Sequence, residues 1–246
     1  MQKILIIGAT SAMAEAVARR YAARKANVYL LARNAGRLAT IAADLEIRGA
    51  ASVHTATFDA NDRSSYEELL DAAHRALGSF DIVLLAHGSY GDQKTSEASA
   101  EEAVHEFQVN TLSTVALLTI LANRMERQGS GTLALISSVA GDRGRPSNYV
   151  YGSSKAAVST FSEGLRARLH KKGVHVLTIK PGMVDTPMTE GLDLPQLLVA
   201  NPEDVASDIV RAVDRHSDVL YTPWYWRYVM WVIIHMPRKV FKKLDL

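Results

Sequence analysis

The run Lys3-Ile4-Leu5-Ile6-Ile7 is apolar on both faces of an extended chain, and it enters Gly8-Ala9-Thr10-Ser11-Ala12-Met13-Ala14 directly. A strand without a polar face belongs in the middle of a parallel sheet, covered on both sides. Parallel neighbours cannot be joined by a tight hairpin; each needs a crossover, usually a helix. An Ala-rich helical pattern to about Arg24 follows. The rest of the chain keeps the alternation, with further strands predicted at 27–32, 52–58, 81–86, 132–136, 174–180 and 219–222. Helix punctuation falls between them. Asn34 reads as an N-cap, Ser99-Ala100-Glu101-Glu102 as a capping box opening a long helix to about Arg127, and Asn201-Pro202-Glu203 as a cap with proline in the first turn. Gly78 and Gly173 stop two others. The expectation is a single doubly wound α/β domain over residues 1–222, a parallel sheet of about seven strands with helices on both faces. An aromatic, basic tail helix, 223–246, follows it.

The 246 residues are enough for one large core. The absence of cysteine excludes disulfides, thiolate metal sites and cysteine nucleophiles; no metal site is expected. The net charge of +2 is unevenly spread: from Thr222 onward, Arg227, Arg238, Lys239, Lys242 and Lys243 face one acid, Asp245, so the remainder is net acidic. That argues against a general nucleic-acid surface. No stretch reaches the roughly 18 apolar residues of a membrane span, and the N-terminus lacks the apolar segment of a signal peptide. A cytoplasmic location is expected.

Two stretches carry chemistry. The Gly8–Ala14 turn, between a strand and a helix, presents backbone N–H groups and a helix N-terminus to a phosphate. Read as G-x-x-x-G-x-G it is degenerate, with Ala12 and Ala14 in the later slots, and a plain strand-to-helix turn competes with the cofactor reading. The second strand ends Leu31-Ala32-Arg33-Asn34, with no acid for a ribose hydroxyl. Arg33 suits a 2′-phosphate, or is a solvated residue opening the next helix. Asp59 either meets an adenine or caps its own turn. His87 reads as a packed or loop histidine without a partner. Asn110, a poor interior helix residue, is either on the surface or a functional group that distorts its helix.

The second stretch is Ser137-Ser138 at a strand end followed by Tyr149-Val150-Tyr151-Gly152-Ser153-Ser154-Lys155. Residues four apart share a helix face, so Tyr151 stands beside Lys155. An ammonium about 4 Å from a phenol is worth about 4 kcal/mol at an effective dielectric of 20. That lowers a phenol of pKa ~10 by up to ~3 units.

Together, the Gly8–Ala14 turn, Asp59, Gly88, Asn110, Ser138, Tyr151-x-x-x-Lys155 and Pro181-Gly182 resemble the short-chain dehydrogenase/reductases over about residues 3–222. The thirteen-residue spacing from Ser138 to Tyr151 singles these out from Ser137 and Tyr149. The resemblance implies a Rossmann fold, NADP(H) or NAD(H), and a homodimer or homotetramer. It implies that Asn110, Ser138, Tyr151 and Lys155 are catalytic. It further implies that Gly8, Thr10, Ser11, Ala12, Met13, Arg33, Asp59, Ala86, Gly88, Tyr151, Lys155, Pro181, Gly182, Val184 and Thr186 bind the cofactor. On this pattern Tyr151 is the acid/base, Lys155 bonds the nicotinamide ribose, Ser138 holds the substrate oxygen, Asn110 anchors a water and Thr186 bonds the carboxamide. Leu85-Ala86-His87-Gly88 departs from the usual Asn-Asn-Ala-Gly. The alanine-substituted turn, Gly91-Asp92-Gln93 and the tail resemble a subgroup that includes the reductase subunit of decaprenylphosphoryl-ribose 2′-epimerase, which reduces a keto-sugar on a polyprenyl phosphate.

All three tryptophans, Trp224, Trp226 and Trp231, fall in the tail beside a basic cluster. Such a segment suits the headgroup region of a membrane, at its inner face; packing on the core is the competing reading. A lid over Val184–Ala200 would shape specificity. The leading expectation is an NAD(P)-dependent oxidoreductase of a carbonyl or secondary alcohol on a small or lipid-linked substrate. The alternatives are a 3-oxoacyl or other lipid-ketone reductase and, from another class, a non-catalytic dinucleotide-binding scaffold.

Overall fold

A computed structural model describes residues 1–187, 189, 195 and 198–244. Seven strands form one parallel sheet: β1 (Lys3–Ile7), β2 (Asn27–Ala32), β3 (Ser52–Thr57), β4 (Ile82–Leu85), β5 (Gly131–Ile136), β6 (Val174–Pro181) and β7 (Val219–Thr222). Their order is β3-β2-β1-β4-β5-β6-β7, with β1 hydrogen-bonded in register to both β2 and β4. The fold is the Rossmann-type sheet expected from the apolar runs.

The apolar first strand explains the layering. Ile4 and Ile6 point into one core, Leu5 and Ile7 into the other. The first core is closed by α1 (Ala12–Ala23), α2 (Ala35–Ile47) and α8 (Pro202–Asp214), through residues such as Val17, Leu38 and Ile209. The second is closed by α3 (Tyr66–Leu77), α6 (Ser113–Gln128) and α7 (Tyr149–Leu169), through Leu70, Leu121 and Val158. Each fully buried side chain of this size contributes about 1.5–3 kcal/mol, so β1 alone ties both layers together. The strand order reverses between β1 and β4, and there the carboxyl ends of the strands leave a crevice.

The caps fall where the sequence places them. Asn34 accepts from Arg37 N at 2.9 Å and Asn201 from Glu203 N at 2.9 Å. Ser99 Oγ accepts from Glu102 N at 3.3 Å. The helix opened by Ser99 differs from expectation. It is not continuous to Arg127: α5 (Ala100–Phe107) gives way to a π-helical turn over Gln108–Leu112 before α6 begins. A short helix, α4 (Gln93–Ala98), which the sequence reading did not place, precedes it. The expected lid over Val184–Ala200 lies in part outside the described residues; its two ends meet in a bridge between Val184 and Ala200.

The tail forms α9 (Trp226–His235) and α10 (Arg238–Phe241). Trp226 and Met230 are buried, against Val139 and Met183 among others. The Arg143 guanidinium donates to the carbonyls of Ile233, Ile234 and Met236 and lies 3.7 Å from the centre of the Phe241 ring. It supplies partners to the carbonyls that every helix C-terminus leaves free. On the opposite side, Tyr228, Trp231 and Val232 stand exposed, spaced as one helix face.

Candidate active site

Ser138 follows β5, and Tyr151 and Lys155 lie on the first two turns of α7. Two glycines make their meeting possible. A Cβ at Gly152 would lie 2.7 Å from the Ala140 carbonyl oxygen, and one at Gly141 would lie 2.8 Å from Ala156 N. Backbone therefore packs on backbone, and the loop after β5 is pressed onto α7. Ser137 spends its hydroxyl on that joint, donating to the Lys155 carbonyl at 3.0 Å and pairing with Ser159 at 2.7 Å. Ser138 instead lines the cavity, its Oγ accepting from Ala140 N at 3.1 Å. Tyr149 is solvent-exposed, whereas Tyr151 faces the cavity with Tyr90 edge-on at 4.7 Å.

The cavity has a volume of about 440 Å³ and opens at the carboxyl ends of β1, β4, β5 and β6. Of the residues expected at the site, it brings together Ser11, Met13, Ala86, Gly88, Ser138, Tyr151, Lys155, Pro181, Gly182, Val184 and Thr186. Gly8, Thr10 and Ala12 sit in the turn behind Ser11 and do not line it; Gly8 has φ +88°. Arg33 and Asp59 are exposed and outside it. Asp59 accepts from Asn61 N at 2.9 Å, the local turn-capping bond.

Asn110 is fully buried inside the π-helical turn, a distortion that concentrates at functional sites. Its side-chain oxygen accepts from Ser89 N at 2.9 Å, and its amide donates to Ser89 O at 3.1 Å and to Glu106 Oε1 at 2.6 Å. Glu106 Oε2 accepts from Ser89 Oγ at 2.9 Å. A Cβ at Gly88 would lie 2.6 Å from Asn110 Oδ1 and 3.3 Å from Lys155 Nζ, so the amide and the ammonium flank the same glycine. Glu106 was not foreseen from the sequence. The signal was present: it stands four residues before Asn110, on one helix face. Tyr90, Arg145, Asn148 and Trp226 also line the cavity and were not singled out.

His87 is packed, as expected, but it has partners. Its Nε2 lies 2.8 Å from Ser113 Oγ and 3.3 Å from Thr114 Oγ1, with the Phe58 ring edge-on. Burial, and then the nearby Lys155, push its pKa down to about 3, so the imidazole is neutral.

The electrostatics correct one expectation. Lys155 was expected to draw the Tyr151 phenol down. Instead burial raises the phenol above its ordinary value, and a hydrogen bond with Ser138 opposes this only in part. The ammonium lies 5.6 Å from the centre of the Tyr151 ring, above its face, and donates to the Ile136 carbonyl at 3.3 Å. Lys155 is itself desolvated: burial pushes its pKa down to about 8, and the negative charge of Glu106 opposes the fall. The phenol and the ammonium thus share one pocket, and at neutral pH both hold their protons.

A model of the short chain dehydrogenase family matches residues 2–196. The chain belongs to the short-chain dehydrogenases. It is 39% identical over 241 residues to an uncharacterized oxidoreductase of Mycobacterium tuberculosis strain H37Rv, covering 98% of this chain and 96% of that one. An uncharacterized oxidoreductase of Streptomyces coelicolor is 37% identical, covering 99% and 96%. Among solved structures, a short chain dehydrogenase/reductase family protein aligns with a TM-score of 0.79 at 27% identity over 89% of this chain and 94% of its own. A variant of actinorhodin polyketide ketoreductase with NADPH shares the fold, with a TM-score of 0.82 at 21% identity over 92% and 97%. This short-chain dehydrogenase is an oxidoreductase.

Two predictions follow from the buried lysine. In the unfolded chain Lys155 titrates near 10.5, against about 8 in the fold. Below pH 8 both states hold the proton and the whole penalty, about 3 kcal/mol, is present; stability is regained as pH rises from 8 toward 10.5. Lys155→Met should therefore raise the unfolding free energy at pH 7, by up to about 3 kcal/mol in urea titration, and flatten that pH dependence. A destabilised variant would contradict the buried-charge account. Glu106→Gln removes the charge that supports the ammonium. Lys155 should then lose its proton at lower pH, moving the alkaline limb of the rate profile down; an unmoved limb would show that Glu106 does not act on Lys155.

Proposed function

We propose that this short-chain dehydrogenase is an NADP(H)-dependent reductase of a ketone on a lipid-linked substrate, with a keto-sugar on a polyprenyl phosphate as the reading that best joins its site to its tail. The observation that carries the reductase assignment is the convergence of Ser138, Tyr151 and Lys155 on a cavity that reaches the N-terminus of α1.

The residues fit a nicotinamide dinucleotide. Ser11, the N-cap of α1, makes no side-chain cap bond, which leaves its hydroxyl and the helix N–H groups to an anion. At the end of β2, Arg33 has no ion-pair partner among the described residues. The nearest acid on α1, Glu15, is already neutralised by Arg19 at 2.5 Å and Arg37 at 2.9 Å. A free guanidinium there favours the 2′-phosphate of NADP(H). When bound, the reduced nicotinamide supplies a hydride to the carbonyl carbon.

The side chains handle the oxygen and the proton. Ser138 donates a hydrogen bond to the carbonyl oxygen and stabilises charge as it develops. Tyr151, protonated at neutral pH, gives its proton to that oxygen, since an alkoxide is a stronger base than a phenolate. The ammonium of Lys155 stabilises the phenolate left behind. A phenol held up by burial suits proton donation better than proton abstraction, which favours the reductive direction. This supports a working enzyme over a non-catalytic dinucleotide-binding scaffold. A 3-oxoacyl or other lipid-ketone reductase is the second reading, supported by the same exposed tail.

Turnover of NADPH with a panel of keto-sugar and acyl ketones tests this. Tyr151→Phe should lower kcat by about 10²–10⁴-fold while NADPH still binds, read by its fluorescence. Arg33→Ala should cut the preference for NADPH over NADH by roughly tenfold, the value of one charged hydrogen bond. Undiminished turnover in Tyr151→Phe would sink the mechanism.

The tail supports a membrane-held substrate. Among the described residues no helix is long and apolar enough to cross a membrane. Yet Trp224, Tyr228 and Trp231 are 72%, 63% and 62% exposed, beside Arg238, Lys239, Lys242 and Lys243. Aromatic side chains with a basic flank match the headgroup layer. The protein should co-sediment with phosphatidylglycerol vesicles, less with phosphatidylcholine, and the double variant Tyr228→Ser, Trp231→Ser should bind at least about fivefold less, at about 1 kcal/mol or more for the lost contacts. Equal sedimentation of both proteins would remove the tail from the proposal.

A further inference from the structure

Arg145 stands in the loop between β5 and α7, six residues before Tyr151, and lines the same cavity. Among the described residues no carboxylate lies within ion-pair distance of it, although nine other arginines of the chain are paired. Its Nε is shut off from solvent without a hydrogen-bond partner. A desolvated guanidinium without a directly paired carboxylate costs free energy; burial pulls its pKa below the ordinary arginine value, and the more distant Asp142 opposes the fall only in part. Two more buried polar atoms on the cavity wall lack partners: Asn148 Oδ1, an acceptor, and Trp226 Nε1, a donor. None of the three is needed to hold the fold together through a bond of its own. Together they offer two donors and one acceptor on the wall of the cavity that Ser138 and Tyr151 also line.

We infer that Arg145 is the specificity-determining contact of this site, and that it reads an oxyanion, phosphate or carboxylate, carried by the substrate near its carbonyl. This rests on the reductase reading and deepens it. The guanidinium fork matches either oxyanion in two bonds. Trp226 Nε1 supplies a further donor from the tail, and Asn148 Oδ1 takes a substrate hydroxyl. The bound anion would supply the direct ion pair that no carboxylate among the described residues makes with Arg145.

The test compares matched ketones with the full chain and NADPH: ribulose phosphate against ribulose, and oxohexanoate against its methyl ester. The wild-type protein should prefer the charged member of at least one pair by tenfold or more in kcat/KM, and the pair that shows it distinguishes phosphate from carboxylate. Arg145→Gln should lower that preference at least tenfold, mainly through KM, and Arg145→Lys should restore part of it. No preference for either charged ketone, or a preference that survives in Arg145→Gln, would overturn the inference. A protein that reduces none of the four would count against the reductase reading alone. The anion site is then decided by thermal denaturation with pyrophosphate and with acetate: a rise in Tm in the wild type that is lost in Arg145→Gln supports it, and equal shifts or none in the two proteins overturn it.

Discussion

Lys155 is buried to 5% exposure, and among the described residues no carboxylate pairs with it directly. Everything around it is arranged to tolerate that charge. The Ile136 carbonyl at the end of β5 takes one hydrogen bond. Glu106, held by hydrogen bonds from Asn110 and Ser89, supplies the opposing field. To bring Asn110 inward, the helix between α5 and α6 must widen into a π turn. Lys155 therefore links three elements of the fold to one proton-transfer group, and its desolvation opposes folding while it serves the chemistry. Such conflicts between local stability and the whole are what functional sites look like in an otherwise consistent sequence.

The correction at Tyr151 has the same origin. Charge proximity alone argues for a depressed phenol, because an ammonium favours a phenolate. Burial also disfavours the phenolate itself, and it is the largest influence on Tyr151 here, opposed by the hydrogen bond with Ser138. The ammonium lies over the ring, 5.6 Å from its centre. The result is a protonated phenol beside a protonated amine, the arrangement that a proton donor needs.

The tail joins the site more closely than its composition suggests. A Cβ at Gly182 would fall within the Trp226 indole, so only glycine lets the ring settle over the end of β6. One face of α9 thus forms a cavity wall while the other presents Tyr228 and Trp231 to the outside. Of the competing sequence readings, packing on the core holds for the Trp226 and Met230 face of the helix. Arg143 anchors the far end of α9 and Arg145, two residues on, enters the cavity, so a single loop serves both the tail and the substrate pocket.

Much of this was readable along the chain. The two-sided apolar character of Lys3–Ile7 demands a covered parallel sheet, and the Asn34 and Asn201 caps are local chemistry; both depend only on neighbours in sequence. Tyr151 and Lys155 stood out because a helix face brings i and i+4 together; Ser138 was told from Ser137 by the resemblance to the family. Only the tertiary structure could decide the rest. Whether Asn110 was a surface residue or a buried one turned on a π turn packed against α7. Glu106, Arg145 and Trp226 come from segments separated by tens of residues, and no periodicity announces their meeting. Periodicity records which face of an element is buried; the desolvation at a point in the interior, which raises the Tyr151 phenol and lowers Arg145, is a property of all the elements that surround it.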